Sequence, residues 1–301
     1  MDRKIVLAID FNNIVFGSYY GAPLINSHGK NVNAIKGFFF KLKSLIDTFN
    51  PTYIVLANDL DRNKTFRRKM YKPYKAQRKP MDNDICEQMR IINRLCSLLG
   101  YPFINSEEYE ADDILGMISR FATDNNMDTI IASSDRDMYQ LITDTTFIFS
   151  PKNKELLDLN WLKDNYRLTP DQWIELKMLQ GDRSDNIPGI PGIGEVTALK
   201  LMQQFGSIDG IYSHISSHRP VIKKLLEDGQ NILDITRTLV TIVTDYTKIN
   251  LSEDNLKRGD VFEDEILNLI KELEIFSLFN VMKYSLISND EKYNSYVNEY
   301  L

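Results

Sequence analysis

Tyr109-Glu110-Ala111-Asp112-Asp113 leads into Ile114 to Phe121, an apolar run with helical spacing. Acidic residues suit a helix N-terminus because the helix dipole is positive there, so capping alone explains a single Asp-Asp pair. Two further acidic pairs weaken that reading. Asp135 and Asp137 follow the apolar run Thr129-Ile130-Ile131-Ala132, and Asp182 and Asp185 lie in Gly181-Asp182-Arg183-Ser184-Asp185. Asp10 ends Ile5-Val6-Leu7-Ala8-Ile9, and Asp59 follows Tyr53-Ile54-Val55-Leu56-Ala57. Strand-end carboxylates repeated after three strands predict one pocket at the carboxyl edge of a parallel sheet, where open α/β folds place their sites. Carboxylates gathered so densely repel one another and call for hard divalent cations, Mg²⁺ or Mn²⁺.

The bulk composition fits such a protein. With 301 residues, 43% hydrophobic and 26% charged, the chain can form one large or two modest cored domains. No apolar stretch reaches the ~18 residues of a membrane span, and Ile5–Ile9 is too short for a signal peptide. Cys86 and Cys96 lack metal-ligand spacing and read as core residues in a reducing cytoplasm. The three histidines, His28, His214 and His218, form no nucleophilic or metal-binding pattern. The net charge of −6 argues against a nucleic-acid partner only superficially. Setting aside the nine candidate ligands leaves 33 acids against 36 bases, an acidic pocket inside a slightly basic exterior.

Strand-like and helix-like stretches alternate through the first half, the βαβ pattern of a parallel sheet of about five strands. Helices are expected over Asn33–Phe49 and Ile85–Leu99, the second stopped by Gly100. Strands are expected at Ile5–Ile9, Tyr53–Ala57, Phe103-Ile104, Thr129–Ala132 and Phe147–Phe149. Lys64 to Lys79 interrupts the pattern with eight basic residues, no acid, and the interleaved rings Phe66, Tyr71 and Tyr74. A charge run is commonly a solvated face. Cations alternating with stacking rings beside a metal pocket instead suit a single-stranded nucleic acid.

A second region starts at Thr169-Pro170-Asp171-Gln172, a capping box with Pro at the first helical position. A helix over Trp173–Leu179 leads through Gly181-Asp182 and Asn186-Ile187-Pro188-Gly189-Ile190-Pro191-Gly192-Ile193-Gly194 to a helix over Glu195–Phe205, closed by Gly206. This is a helix-hairpin-helix pattern, whose glycines let backbone amides approach a phosphate. Residues 220–301 read as helices and loops, with a Tyr- and Asn-rich end from Ser288 expected to fray.

Together these motifs resemble the 5′-nuclease family of flap endonucleases and 5′–3′ exonucleases, from about Ile5 to at least Gly206. The match rests on Tyr109–Asp113, Ser134-Asp135-Arg136-Asp137-Met138-Tyr139-Gln140-Leu141, Gly181-Asp182 through Ala198, Lys64-Thr65-Phe66-Arg67 and Tyr74-Lys75-Ala76-Gln77-Arg78. The resemblance implies an α/β fold, with a PIN-like parallel-sheet nuclease core over 1–168 carrying a basic helical arch at about 64–95. A helical helix-hairpin-helix domain over 169–301 would follow. It also implies metal-dependent cleavage of DNA with 5′ ends or flaps in replication or repair, with overlap onto RNA–DNA hybrids. Asp10, Asp59, Glu110, Asp112, Asp113 and Asp135 would hold a first metal ion directly or through water, and Asp137, Asp182 and Asp185 a second. Lys75 and Arg78 would meet the scissile phosphate. Arg67, Tyr74, Gly189, Gly192 and Gly194 would contact DNA, with K⁺ at the hairpin. The expected protein is a monomeric, stand-alone enzyme, because a chain of 301 residues has no room for a polymerase domain.

One departure stands out. Polymerase-type members carry Tyr-Arg where this chain has Phe16-Gly17, so a basic substrate contact is missing or supplied elsewhere. Three other readings stay open at this point: a PIN-like ribonuclease, which leaves the hairpin unexplained; a non-catalytic DNA-binding module, which should have lost carboxylates; and a metal-dependent phosphatase, which has no need of Lys64–Lys79.

Overall fold

The computed structural model describes residues 3–285 apart from positions 22 and 62, so the stretch from Ser288 lies outside the described residues. In chain order the first module contains β1 (Ile5–Asp10), α1 (Phe11–Tyr19), α2 (Asn33–Phe49), β2 (Tyr53–Ala57), α3 (Phe66–Met70), α4 (Asn83–Leu98), β3 (Phe103–Ile104), α5 (Ala111–Asp124), β4 (Asp128–Ala132), β5 (Thr146–Ser150) and β6 (Glu155–Leu157). A short 3-10 helix, Arg136–Leu141, links β4 to β5. The sheet order is β3-β2-β1-β4-β5-β6, parallel except for the antiparallel β5–β6 edge.

Both faces of this sheet are covered, which explains why its central strands are apolar throughout rather than alternating. Leu7 and Ile9 point into a core with Phe38, Phe39, Leu42, Ile92 and Leu95 of α2 and α4. Val6 and Ala8 point the other way, onto Ile114, Leu115 and Ile118 of α5. The strand order reverses between β1 and β4, so their carboxyl ends open a crevice at the switch point.

The second module contains α6 (Leu159–Tyr166), α7 (Pro170–Gln180), α8 (Glu195–Phe205), α9 (Ile208–Ser213), α10 (Pro220–Gly229) and α11 (Leu233–Val240). These helices close around Trp173, Leu176, Leu179, Leu201, Leu226 and Leu239. The expected capping box is present: the Thr169 hydroxyl accepts from the Gln172 amide at 3.3 Å, and Gln172 Oε1 accepts from the Thr169 amide at 2.8 Å.

Three expectations are corrected here. The sheet has six strands, because Glu155–Leu157 adds an exposed edge that three residues are too few to announce. The arch does not extend to residue 95: α4 lies against the sheet, with Ile85, Ile92, Leu95 and Cys96 buried in the core. The helical domain does not keep its C-terminal part. The helices α12 (Glu263–Leu273) and α13 (Ser277–Ser285) return to the first module, where Ile266, Leu267, Ile270, Leu278, Phe279 and Met282 join Leu7, Ile9 and Phe38. The returning chain crosses at Gly100, whose φ of +74° terminates α4 and whose carbonyl accepts from the Gly259 amide at 2.8 Å. A β-carbon at Gly100 would come within 2.4 Å of the Gly259 carbonyl oxygen, so only glycine permits the crossing.

Candidate metal and nucleic-acid cleft

Asp10 is the last residue of β1 and the N-cap of α1. Its Oδ1 accepts from the Asn13 amide at 3.1 Å and its Oδ2 from the Ser133 hydroxyl at 2.7 Å. Asp59 follows β2, accepting from the Ala111 amide at 2.7 Å and from Asn12 Nδ2 at 3.0 Å. Asp135 caps the 3-10 helix after β4 and accepts from the Asp137 amide at 2.9 Å. Asp112 projects from the first turn of α5. Each is set by backbone at the carboxyl edge of the sheet, which gives the strand-end pattern its physical basis.

Seven of the nine expected carboxylates line one cleft of about 1190 Å³: Asp10, Asp59, Asp112, Asp135, Asp137, Asp182 and Asp185. Their electrostatics are those of crowded anions. Burial, together with Asp135 and Asp59, raises Asp10 to about 7, against the pull of its Ser133 and Asn13 hydrogen bonds. Burial and the charges of Asp135 and Asp10 push Asp112 well above the carboxylate range. Asp137 rises to about 6 through burial, Asp135 and Asp182, opposed by Lys177. Asp182 is instead held at about 2, because Lys177, the Ser184 hydroxyl and the Asp185 amide outweigh its burial.

The hairpin supplies the opposite wall. Asp182 organises the turn after α7 by accepting from the Ser184 amide and hydroxyl, at 2.7 and 2.6 Å. Lys177 Nζ bridges Asp137 Oδ1 at 2.6 Å and Asp182 Oδ2 at 2.7 Å, joining the two modules across the cleft. Sequence reasoning missed Lys177. The signal available was its place on α7, one helical turn and a residue before Asp182.

Lys75 has a left-handed backbone (φ +51°), a costly conformation for a long side chain, and its amide donates to the Asp185 carbonyl at 2.8 Å. Its ammonium lies 2.5 Å from Glu110 Oε1 and 3.5 Å from Asp185 Oδ2. Burial would lower its pKa, but Glu110, Tyr74, Asp185 and Asp112 carry it well above the usual lysine value. Arg78 pairs with Asp185 at the cleft edge.

Glu110 and Asp113 do not line the cleft. Asp113 is fully buried and saturated. Arg67 meets both of its oxygens, at 2.6 and 2.8 Å, while the Glu110 and Val243 amides donate to it at 3.1 and 2.9 Å. It braces the α5 terminus and has no lone pair left for a metal, which corrects its expected role. Arg67 is corrected with it. The guanidinium is buried and also donates to the Leu239 and Thr241 carbonyls, at 2.9 and 2.7 Å, so it cannot reach a phosphate. Tyr74 is buried too, its hydroxyl donating to Glu110 Oε2 at 2.7 Å, and so offers no stacking face. The basic segment thus buries Tyr74, keeps Phe66 and Tyr71 half-buried, and leaves Lys64, Lys69, Lys72 and Lys79 exposed.

The glycines divide by role. Gly189 is a packing residue, because its β-carbon would fall 2.3 Å from the Gln180 carbonyl carbon and the Gly181 nitrogen. Gly192 occupies a left-handed turn (φ +87°). Gly194 is the N-cap of α8 with no side-chain cap and open space at its β-carbon position, and with Glu195 it brings the start of α8 onto the cleft lining.

Among the described residues, no three His, Cys, Asp or Glu side chains stand already gathered around one ion. The chemistry of the set still fits divalent cations. Seven carboxylates share a cleft that drives several of them towards protonation, and the buried Asn12 Oδ1 and Gln180 Oε1 on its lining have no hydrogen-bond partner.

Sheet, acidic crevice and hairpin are together those of a 5′-nuclease. The model for the 5′-3′ exonuclease N-terminal resolvase-like domain matches residues 5–167, and that for the C-terminal SAM fold matches residues 168–263. The chain belongs to the 5′-3′ exonuclease family. It is 36% identical over 265 residues to a 5′-3′ exonuclease of Halalkalibacterium halodurans, covering 83% of this chain and 87% of that protein. It is 32% identical over 279 residues to DNA polymerase I of Bacillus subtilis, covering 90% of this chain but 31% of the polymerase. Among solved structures, the T5 5′-exonuclease with bound divalent metal ions (zinc) superposes with a TM-score of 0.67 at 21% identity, covering 90% of this chain and 99% of that one. None of the described helices is long and apolar enough to cross a membrane.

Proposed function

We propose that this protein hydrolyses phosphodiesters in DNA bearing 5′ ends or flaps, and in RNA–DNA hybrids, using two Mg²⁺ or Mn²⁺ ions. The observation that carries this reading is the cleft itself, which gathers seven carboxylates beside Lys177 and the uncapped N-terminus of α8. Asp10, Asp59, Asp112 and Asp135 would hold one ion, and Asp137, Asp182 and Asp185 the other. Bound there, the ions supply an activated water and stabilise the leaving oxygen.

The chain's own residues do the positioning. Lys75 and Arg78 present cations where the scissile phosphate would lie. Glu110 joins the ligand set only once the Lys75 ammonium turns from it towards substrate. The α8 amides would bind a phosphate of the adjoining duplex, with K⁺ held by backbone oxygens of the hairpin. The exposed lysines of 64–79 would guide the single strand. Two free cysteines suit a reducing cytoplasm, and a monomer suffices because one chain builds the whole cleft.

Cleavage of end-labelled 5′-flap, nicked, blunt and RNA-primed duplexes, with and without Mg²⁺, tests the proposal. Mg²⁺-dependent cutting near the junction is expected. Cutting confined to RNA would favour a ribonuclease, and binding without cutting would favour a DNA-binding module.

A further inference from the structure

α1 and α2 approach closely where Gly37 meets Ser18: a β-carbon on Gly37 would stand 2.8 Å from the Ser18 β-carbon. One turn along α2, the same contact lays Lys41 over Gly17, with Nζ 3.4 Å from the position a Gly17 β-carbon would take. Gly17 follows Phe16 and lies one turn beyond Asn13, both of which line the cleft.

Lys41 differs from the cleft cations. Lys75, Arg78, Arg136 and Lys177 are all ion-paired, to Glu110, Asp185, Glu195 and Asp137 respectively, and Arg183 on the same lining is exposed to solvent. Lys41 is half-buried, its pKa is lowered by burial alone, and among the described residues it has no carboxylate partner. A desolvated ammonium without a counter-charge costs stability and is relieved by an arriving anion.

We propose that Lys41, reaching over Gly17, forms a phosphate-binding subsite at the cleft edge that takes one backbone phosphate of the bound nucleic acid. The bare Gly17 leaves room for the ammonium, so α2 supplies a cation that α1 lacks. The inference rests on the nuclease reading.

The test titrates the full chain with a 5′-hydroxyl flap DNA, which carries only backbone phosphates, over a range of KCl concentrations with divalent ions withheld. Lys41→Met should weaken binding several-fold and reduce the slope of log affinity against log salt by about one. Lys41→Arg should keep the wild-type slope. Gly17→Arg in the Lys41→Met background should restore it, by placing a guanidinium at the same point from α1. A folded Lys41→Met protein with the wild-type affinity and slope would overturn the subsite while leaving the nuclease reading intact. A wild-type protein that fails to bind or cut flap DNA would remove both.

Discussion

Arg67 and Asp113 face each other as a buried bidentate pair, with N–O distances of 2.6 and 2.8 Å, linking the basic segment to the first turn of α5. Removing one partner of such a pair leaves an uncompensated charge in the interior. Arg67→Met should therefore lower stability by ~3–5 kcal/mol in urea unfolding. Arg67→Met with Asp113→Leu should recover a large part of that loss. A single variant as stable as wild type would show that the pair does not brace the fold.

Asp135 and Asp113 should then separate chemistry from stability. Asp135→Asn replaces a proposed ligand with a near-isosteric amide at an accessible cleft position and should reduce cleavage by ~10³-fold or more while DNA binding persists. Its melting temperature should stay near that of the wild type. Asp113→Asn should instead lower the melting temperature. Identical profiles for the two variants in paired melting and single-turnover assays would contradict this division.

Lys177 holds Asp137 and Asp182 together, the pair proposed above to meet an ion. Lys177→Met should melt at a lower temperature than wild type in EDTA, because the two carboxylates then repel. If Mg²⁺ binds the folded state there, as proposed, its addition should raise the variant's melting temperature by more than it raises the wild type's. Equal shifts would show that no metal site adjoins this bridge.

Gly194→Asp tests the hairpin with opposed signs. The position has room for a side chain, and an Asp N-cap should hold or raise the melting temperature by satisfying amides of α8. The same carboxylate would occupy the proposed phosphate position and repel DNA. Duplex binding should weaken while thermal stability does not fall. Unchanged duplex affinity would reduce the hairpin to a packing device, the part Gly189 already plays.

Alkaline pH should find a weakness in the sheet core. Burial pushes the Cys96 thiol well above its ordinary 9.0 and the Tyr101 hydroxyl to about 12 from 10.0. Both groups fold as neutral acids with raised pKa values. The stability they preserve is complete below about pH 9 and is lost as pH rises and the unfolded state ionises first. Each group adds a slope of about 1.4 kcal/mol per pH unit in its window. Cys96→Ala should show a shallower loss of stability between pH 9 and 11 than wild type, whatever its absolute stability. Parallel curves would show that Cys96 does not titrate on unfolding.

The acidic cleft was legible because its carboxylates sit at strand ends and in a hairpin turn, positions fixed by local sequence. Glu195–Phe205 was read to the residue because glycine brackets it on both sides. Asp113 misled because a metal ligand and a buried ion-pair partner present the same letters, and only its distant partners Arg67 and Val243 tell them apart. Tyr74 and Arg67 misled for the converse reason, since a basic aromatic segment is written alike whether its rings face solvent or core. α1 escaped notice because Asn12, Asn13 and Gly17 are poor helix formers, and the helix is held by the Asp10 cap and by α2.

The return of α12 and α13 has a bearing on how the polypeptide matures. As the chain leaves the ribosome, β1 to β5 emerge early, but the layer completed by Ile266, Ile270, Leu278 and Phe279 is synthesised after the hairpin module. The outer flanks of α2 and α4, on which α13 and α12 pack, therefore stay uncovered until the hairpin module has been made and has begun to fold behind them. Vectorial synthesis here does not finish the two modules in turn. Translation arrested after the hairpin would release a product with an intact set of acidic residues and an unfinished core, prone to aggregation or proteolysis before it could meet DNA.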